Sequence, residues 1–397
     1  MSGPQGHNVR SVGIVGGGPA GLYLAYLLKR RKPELSVSVF ERAPENVTWG
    51  FGVVLPDGGL RQLREADEES YARINAVLHP LYKQTFIVDD ERVPIDKARP
   101  GGAIGRLTLL HVLHGLCRGV GVDLHFEANI PGLSDLAAFD LVVGADGANS
   151  LVRDSLAREL GTKKRLLGNR FAWFGVARSF DGSFLNFKSI PNGGLCGHYY
   201  SYEERHSTFV MECDETTWFA LGLAEANDDT RRLVTQSYFA DELGGDPLLD
   251  NNSIWRQFPV ITSERWYHDR FVLLGDALRT AHFSIGSGTR MALEDAIALA
   301  DALVAEPNRD RALERYVASR IGPMNKLVGA AEGSFTWYEG FSSKLRLKTA
   351  TEFALSFLRR TGRISPERLQ RDFPEFIAHA RRQGVDITIR QDAGAAS

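Results

Sequence analysis

The sequence predicts an α/β protein. A nucleotide-binding domain built on a parallel sheet is interrupted by a mostly antiparallel β-sheet and followed by a helical C-terminal region. Three observations predict this. A strand, a glycine-rich turn and a helix open the chain in "SVGIVGGGPAGLYLAYLLKRR". A second strand-to-helix turn, "FVLLGDALRTAHFSIGSGTRMALEDA", begins at residue 271. Between them, residues 169–258 are aromatic-rich and alternate with the period of two expected of half-buried strands.

Taken in order, residues 11–16 read as a short buried strand, and residues 20–31 have helical periodicity closed by Lys32-Pro33. Residues 36–40 alternate as a second strand ending on Glu41-Arg42, which completes a βαβ unit. Residues 50–59, "GFGVVLPDGG", form a glycine-rich loop before a helix that begins over 60–67. Residues 106–118 make an amphipathic helix. "FDLVVGADGANSLVR" reads as a strand that breaks at Gly144 and reopens as a helix near Ser150. From Met291 onward the chain is mostly helical, with a basic stretch over 341–382 and a tail, "DAGAAS", expected to fray. The expected division is a discontinuous nucleotide-binding domain over 1–165 and 261–330, a β-sheet domain over 166–260, and a helical region over 331–397.

Composition narrows the function classes. With 43% hydrophobic residues, 24% charged residues and a net charge of -2, the chain has the balance of a soluble globular protein and no field suited to nucleic acid. Three scattered cysteines, Cys117, Cys196 and Cys213, form no CxxC pair, which argues for a reducing compartment and against a zinc site. The start, "MSGPQGHNVR", lacks the pattern of a secretory leader, and no apolar run approaches the roughly 20 residues of a membrane span. A cytoplasmic monomer or homodimer is expected.

The first glycine turn has the spacing Gly16-x-Gly18-x-x-Gly21 between a strand and a helix. Gly16 permits the tight turn, Gly18 lets backbone approach a pyrophosphate, and Gly21 permits close packing of helix on strand. Pro19 and Ala20 open the helix, whose free N–H groups face a phosphate. Glu41 ends the next strand where a ribose hydroxyl needs an acceptor, with Arg42 beside it. An acid here favours FAD or NAD over NADP.

The later motifs choose between those two. "DLVVGADGANSLVR" and "FVLLGDALRTAHFSIGSGTRMALEDA" resemble the second and third signatures of the single-component flavoprotein aromatic hydroxylases, whose fold is that of p-hydroxybenzoate hydroxylase. The resemblance implies that Asp146 and Gly147 belong to the nucleotide fold, with Arg153 on the helix that follows. It implies that Asp276 accepts from the ribityl hydroxyls of FAD, and that Gly286, Ser287, Gly288 and Thr289 bring backbone N–H groups to the flavin ring. Arg106 falls where these enzymes place an arginine that reaches the pyrophosphate. Both glycine turns would then hold one FAD, while NADH or NADPH visits as a transient co-substrate and O2 is activated at the flavin.

His282-Phe283 stands where many of these hydroxylases carry Pro-Pro. That variant, with "GFGVVLP", "STFVMEC", "SFTWYE" and "ALSFLRRTGRISPERL", resembles the subgroup containing salicylyl-CoA 5-hydroxylase, 2-aminobenzoyl-CoA monooxygenase and the violacein-pathway tryptophan hydroxylase. The implied substrate is an electron-rich aromatic ring, best an aryl-CoA such as salicylyl-CoA. A free indole, a tryptophan-type substrate or a phenolic natural product is the alternative. His282 is the candidate for hydrogen-bonding the substrate or the activated oxygen. Val54, Trp173, His198, Tyr199, Tyr202, Met211, Phe283, Trp337 and Tyr338 are candidates for the substrate wall, and the same residue types also build a core. Gly50 and Gly52 suit backbone passing close to the flavin. Lys344, Arg346, Lys348, Arg359, Arg360, Arg363, Arg368, Arg371, Arg381 and Arg382 would suit CoA phosphates, or form a solvated basic face.

Overall fold

A computed structural model describes residues 8–98 and 101–388. The first seven residues of the stretch read for a leader, and the whole of "DAGAAS", lie outside the described residues.

The first sheet has six strands in the order Tyr267–His268, Phe271–Leu273, Leu141–Gly144, Ser11–Val15, Ser36–Phe40 and Asp123–His125. All neighbours are parallel except the first pair. Such a sheet is covered on both faces, so its strands need continuous rather than alternating apolar residues. Leu141, Val142 and Val143 are accordingly fully buried. Helix Pro19–Arg31 has buried residues all round from Ala20 to Leu28, because helix Gly288–Ala305 packs against it.

The second sheet has eight strands and is antiparallel apart from one pair. Its centre is formed by Thr162–Val176, Ser207–Cys213, Gly193–Ser201 and Ser183–Ile190. Arg256–Ser263 pairs with the first half of Thr162–Val176. The edge is a hairpin from earlier in the chain, Gln84–Val88 and Glu91–Pro94. Its turn residues Asp89 and Asp90 both take positive φ, as a two-residue hairpin turn requires. Residues 215–243, inside the stretch read as alternating, instead carry three short helices. The first two are started by Asp214 and Asn227, whose side chains accept from the N–H groups of Thr217 and Thr230.

The two faces of this sheet meet different partners. Ala172, Tyr199, Phe209 and Met211 point into a core shared with the short helices. Phe86, Leu185, Phe187 and Cys196 point the other way, towards the C-terminal helices, where Phe341, Phe353 and Phe376 are fully buried. A third, three-stranded sheet of Gly52–Leu55, Gly102–Gly105 and His79–Pro80 lies alongside. Among the described residues no helix is long and apolar enough to cross a membrane.

Candidate active site

A cavity of about 300 Å³ opens at the C-terminal ends of the parallel strands, the usual ligand position in such sheets. Gly16 takes φ +108°, and a Cβ there would lie 2.5 Å from the Ala145 carbonyl oxygen. A Cβ on Gly21 would lie 2.2 Å from the carbonyl oxygen of Gly16, so that turn accepts no side chain. Gly18 is different, because a Cβ there meets nothing and would project into open space. The helix that starts at Pro19 has no side-chain cap, which leaves its first N–H groups for a ligand.

Two acids of the cavity, Glu41 and Asp146, are held by backbone. Glu41 accepts from the N–H of Gly17 at 2.7 Å and from that of Ala43 at 2.8 Å. Asp146 Oδ2 accepts from Leu151 N–H at 2.6 Å, while Oδ1 is buried without a partner. Gly147, Arg42 and Thr289 complete this part of the wall. Arg153, fully buried, donates to the carbonyls of Ala148 and Ala277, and so ties the Asp146 loop to the Asp276 turn.

Arg106 and Asp276 face the same cavity. Burial pushes the Asp276 carboxyl up, against the pull of Arg106 and Arg279, and burial lowers Arg106. Two opposite, underused charges beside an orphaned carboxylate oxygen and an uncapped helix form a polar cradle, which fits a dinucleotide with a pyrophosphate and hydroxyls. FAD fits it.

Helix Gly288–Ala305 is the second uncapped helix. The Ser287 hydroxyl donates back to the Ile285 carbonyl and accepts from no N–H of the helix start. Gly286, at φ +58°, and Gly288 leave open space where a Cβ would be. Gly288 and Thr289 wall the dinucleotide cavity, and Gly286 walls a second one of about 250 Å³. The segment 286–289 therefore stands between the two cavities, where a flavin ring would pass from one to the other.

Val54, His198 and Phe283 line the second cavity, with Leu185, Val210, Glu212, Tyr338, Lys97 and Arg360. Trp173 shares the sheet face of Val210 but packs against Gly50 and under the Arg106 guanidinium, 5.7 Å from the ring centroid. Gly52 is pinned to the sheet by Thr208 and Tyr200 and sits on Tyr202, so neither Gly52 nor Tyr202 reaches this cavity. Tyr199 and Met211 turn to the opposite face, into the core described above. Trp337 is buried among the C-terminal helices and donates to Ser356.

His282 is 3% exposed and borders a separate cavity that holds Lys163, Lys164 and Arg165. Burial and the charge of Arg360 push its imidazole down to about 3. At neutral pH it is uncharged and acts as a hydrogen-bonding group. His198 is driven to about 4 by burial and by Lys97 and Arg360. Glu212 behaves in the opposite sense. It is 2% exposed, and burial raises its carboxyl to about 8. Asn169 Nδ2 donates to Glu212 Oε1 at 2.8 Å, His282 Nε2 lies 3.9 Å from the same oxygen, and Oε2 is buried without a partner. Sequence reasoning passed over Glu212. Its signal was a single acid in the otherwise neutral run "STFVMEC".

Comparison with known proteins agrees with this geometry. Residues 134–331 match the family described as FAD binding domain, and residues 14–56 match that described as NAD(P)-binding Rossmann-like domain. The chain is 37% identical to salicyloyl-CoA 5-hydroxylase of a Streptomyces species, over 88% of this chain and 69% of that one. It is 36% identical to 3-hydroxy-4-methyl-anthranilyl-(aryl-carrier protein) 5-monooxygenase of Streptosporangium sibiricum, over 82% and 88%. It is 31% identical to protodeoxyviolaceinate monooxygenase of Chromobacterium violaceum, over 89% and 95%. In fold it is similar to 2-methyl-3-hydroxypyridine-5-carboxylic acid oxygenase, with a TM-score of 0.67 at 17% identity over 91% of this chain and 96% of that one.

Proposed function

This chain belongs to the FAD-dependent aromatic monooxygenases, and from that premise we propose that its substrate is an aryl-CoA thioester, salicyloyl-CoA first, hydroxylated at ring position 5. The observation that carries the proposal is the second cavity. Apolar side chains wall it beside Glu212, and Lys83, Lys97 and Arg360 supply positive charge in the same wall. Among the described residues no carboxylate pairs with Lys97 or Arg360, although Lys83 meets Asp181 at 2.7 Å. An aromatic acyl group beside Glu212 with a phosphorylated carrier at the cations satisfies both ends. Two of the relatives are named for aryl groups held on a carrier, coenzyme A in one and a carrier protein in the other.

Bound FAD, reduced by NAD(P)H, supplies the activated oxygen that an electron-rich ring takes up. The chain's own residues hold the reactants. The uncapped start of helix Gly288–Ala305 offers N–H groups and a positive dipole end to negative charge at the junction of the cavities. Phe283, Val210 and Leu185 keep the ring away from bulk water. Three buried, unpaired cysteines suit a reducing, cytoplasmic setting, with the protein working as a monomer or homodimer.

The test is NADH and NADPH oxidation by the FAD-loaded protein with and without salicyloyl-CoA, with products weighed by mass spectrometry. The expected result is a large substrate-dependent rise and a product heavier by one oxygen. If a free indole or phenol gives that rise while the thioester does nothing, the substrate is of the alternative class, to which the protodeoxyviolaceinate enzyme points.

A further inference from the structure

The orientation of His282 is set by its neighbours. Arg360 Nε donates to Ser334 Oγ at 2.9 Å, Ser334 Oγ meets Ser284 Oγ at 2.7 Å, and Ser284 Oγ meets His282 Nδ1 at 2.8 Å. A guanidinium only donates, so Ser334 accepts from Arg360, which leaves the Ser334 O–H free to donate to Ser284 and the Ser284 O–H free to donate to the imidazole. The backbone N–H of Ser284 also points at Nδ1, at 3.4 Å. With two donors aimed at it, Nδ1 is the acceptor, and the ring proton sits on Nε2, the nitrogen facing Glu212.

Glu212 is thus hydrogen-bonded on one oxygen only, by the Asn169 amide, with the imidazole N–H 3.9 Å from that same oxygen. It is the sole carboxyl among the described residues lining the second cavity. We propose that the Glu212 carboxylate accepts the proton of the substrate's ring hydroxyl on Oε2. The O–H bond breaks, its proton passes to Oε2, and its electron pair stays on the ring oxygen, which makes the ring more electron-rich. His282 is a positioning residue whose Nε2–H faces that carboxylate from 3.9 Å. This rests on the reading of a hydroxylated aryl substrate.

The other titratable groups of that wall are poorly placed for the task. His198 faces Lys97 and Arg360, which oppose its taking a proton. The Cys196 thiol and Tyr338 hydroxyl are both driven well up by burial. Around Glu212 itself stand Glu339, which raises it further, with Cys196, Cys213, Tyr338 and the neutral His282. Burial also lowers Lys97 in the same wall, and Glu212, near 8, is the carboxyl there matched to a phenolic proton at working pH.

Two measurements test the proposal. Infrared spectra of the FAD-loaded protein from pH 6 to 10 should show a protonated-carboxyl band that fades through about pH 8 and is absent from Glu212→Gln. Wild type without that band overturns the proposal. The pH profile of kcat/KM on salicyloyl-CoA should rise towards pH 8, with Glu212→Gln about 100-fold slower and without that limb, and Glu212→Asp partly restored. Glu212→Gln with the wild-type rate and limb overturns it. If wild type leaves salicyloyl-CoA untouched, the substrate reading fails by itself, and the profile is taken with the phenol that does drive NAD(P)H oxidation. The same limb and loss there support the base, and their absence overturns it.

Discussion

Arg279 holds Asp295 through one guanidinium nitrogen placed 2.8 Å from each carboxylate oxygen, and both side chains are buried. Asp295 also accepts from Arg320 Nε at 2.9 Å and from the N–H of Gly275 at 3.1 Å. One carboxylate thereby anchors the turn that presents Asp276 to the dinucleotide cavity. Asp295→Ala leaves buried Arg279 without its carboxylate and Arg320 with Glu294 alone, at 3.0 Å, so a loss of about 3–5 kcal/mol in chemical denaturation is expected. FAD retention should fall with it, because the Gly275 turn loses its tether. A variant with wild-type stability and full flavin content would show that this network does not support the turn.

The two glycines of the first turn should fail differently. Gly21→Val drives a side chain into the Gly16 carbonyl and should unfold or strongly destabilise the apoprotein, by about 3 kcal/mol or more. Gly18 has φ -77°, ordinary for any residue, and open space at its Cβ. Gly18→Ala should keep the apoprotein's thermal midpoint and weaken FAD binding by about tenfold or more. Calorimetric scans with flavin titration separate the two outcomes.

Glu212 should leave a mark on stability as well as on rate. Its folded value of about 8 lies above the ordinary 4.5, so the native state keeps a proton that the unfolded chain has lost. The favourable contribution is complete below the unfolded value and disappears as pH rises through the folded one. Wild type should therefore lose stability relative to Glu212→Gln between about pH 4.5 and 8, by on the order of a few kcal/mol. Urea unfolding of both proteins at pH 5, 6.5 and 8 measures it. Parallel curves would place Glu212 in a far wetter setting than the structure gives it.

Lys97 should act on the carrier end of the substrate and not on the chemistry. Lys97→Ala is expected to raise KM for salicyloyl-CoA by roughly fivefold to tenfold, about 1–1.4 kcal/mol, with kcat little changed. Raising the salt concentration should weaken wild type towards the variant. Equal KM values in the two proteins would remove Lys97 from carrier binding.

Much of the dinucleotide cradle was legible because its determinants are local. Gly16, Gly18, Gly21 and Glu41 lie within one βαβ unit, and Asp276 to Thr289 within one turn and helix start. The substrate wall was harder to read. Tyr199 and His198 are neighbours in one strand, as are Met211 and Glu212, and their sequence context does not distinguish wall from core. The hairpin at residues 84–94 and the helices at residues 215–243 depend respectively on pairing with a distant strand and on side-chain caps that an alternating pattern hides.

The sequence alone determined the α/β class and the two glycine turns, because backbone freedom, strand ends and helix starts are set by residues a few positions apart, and its resemblance to the flavoprotein hydroxylases chose FAD for them. Only the tertiary structure decided which face of the Ser207–Cys213 strand meets the cavity, since alternation assigns residues to two faces and cannot say what covers each. It also decided that His282 faces Glu212. That pairing comes from the 282–284 turn and an antiparallel strand packed together, with the Ser284 N–H at Nδ1 and Arg360, on a third element, behind the serines. Long-range register and burial govern such a contact, and neither is encoded in the spacing of neighbouring residues.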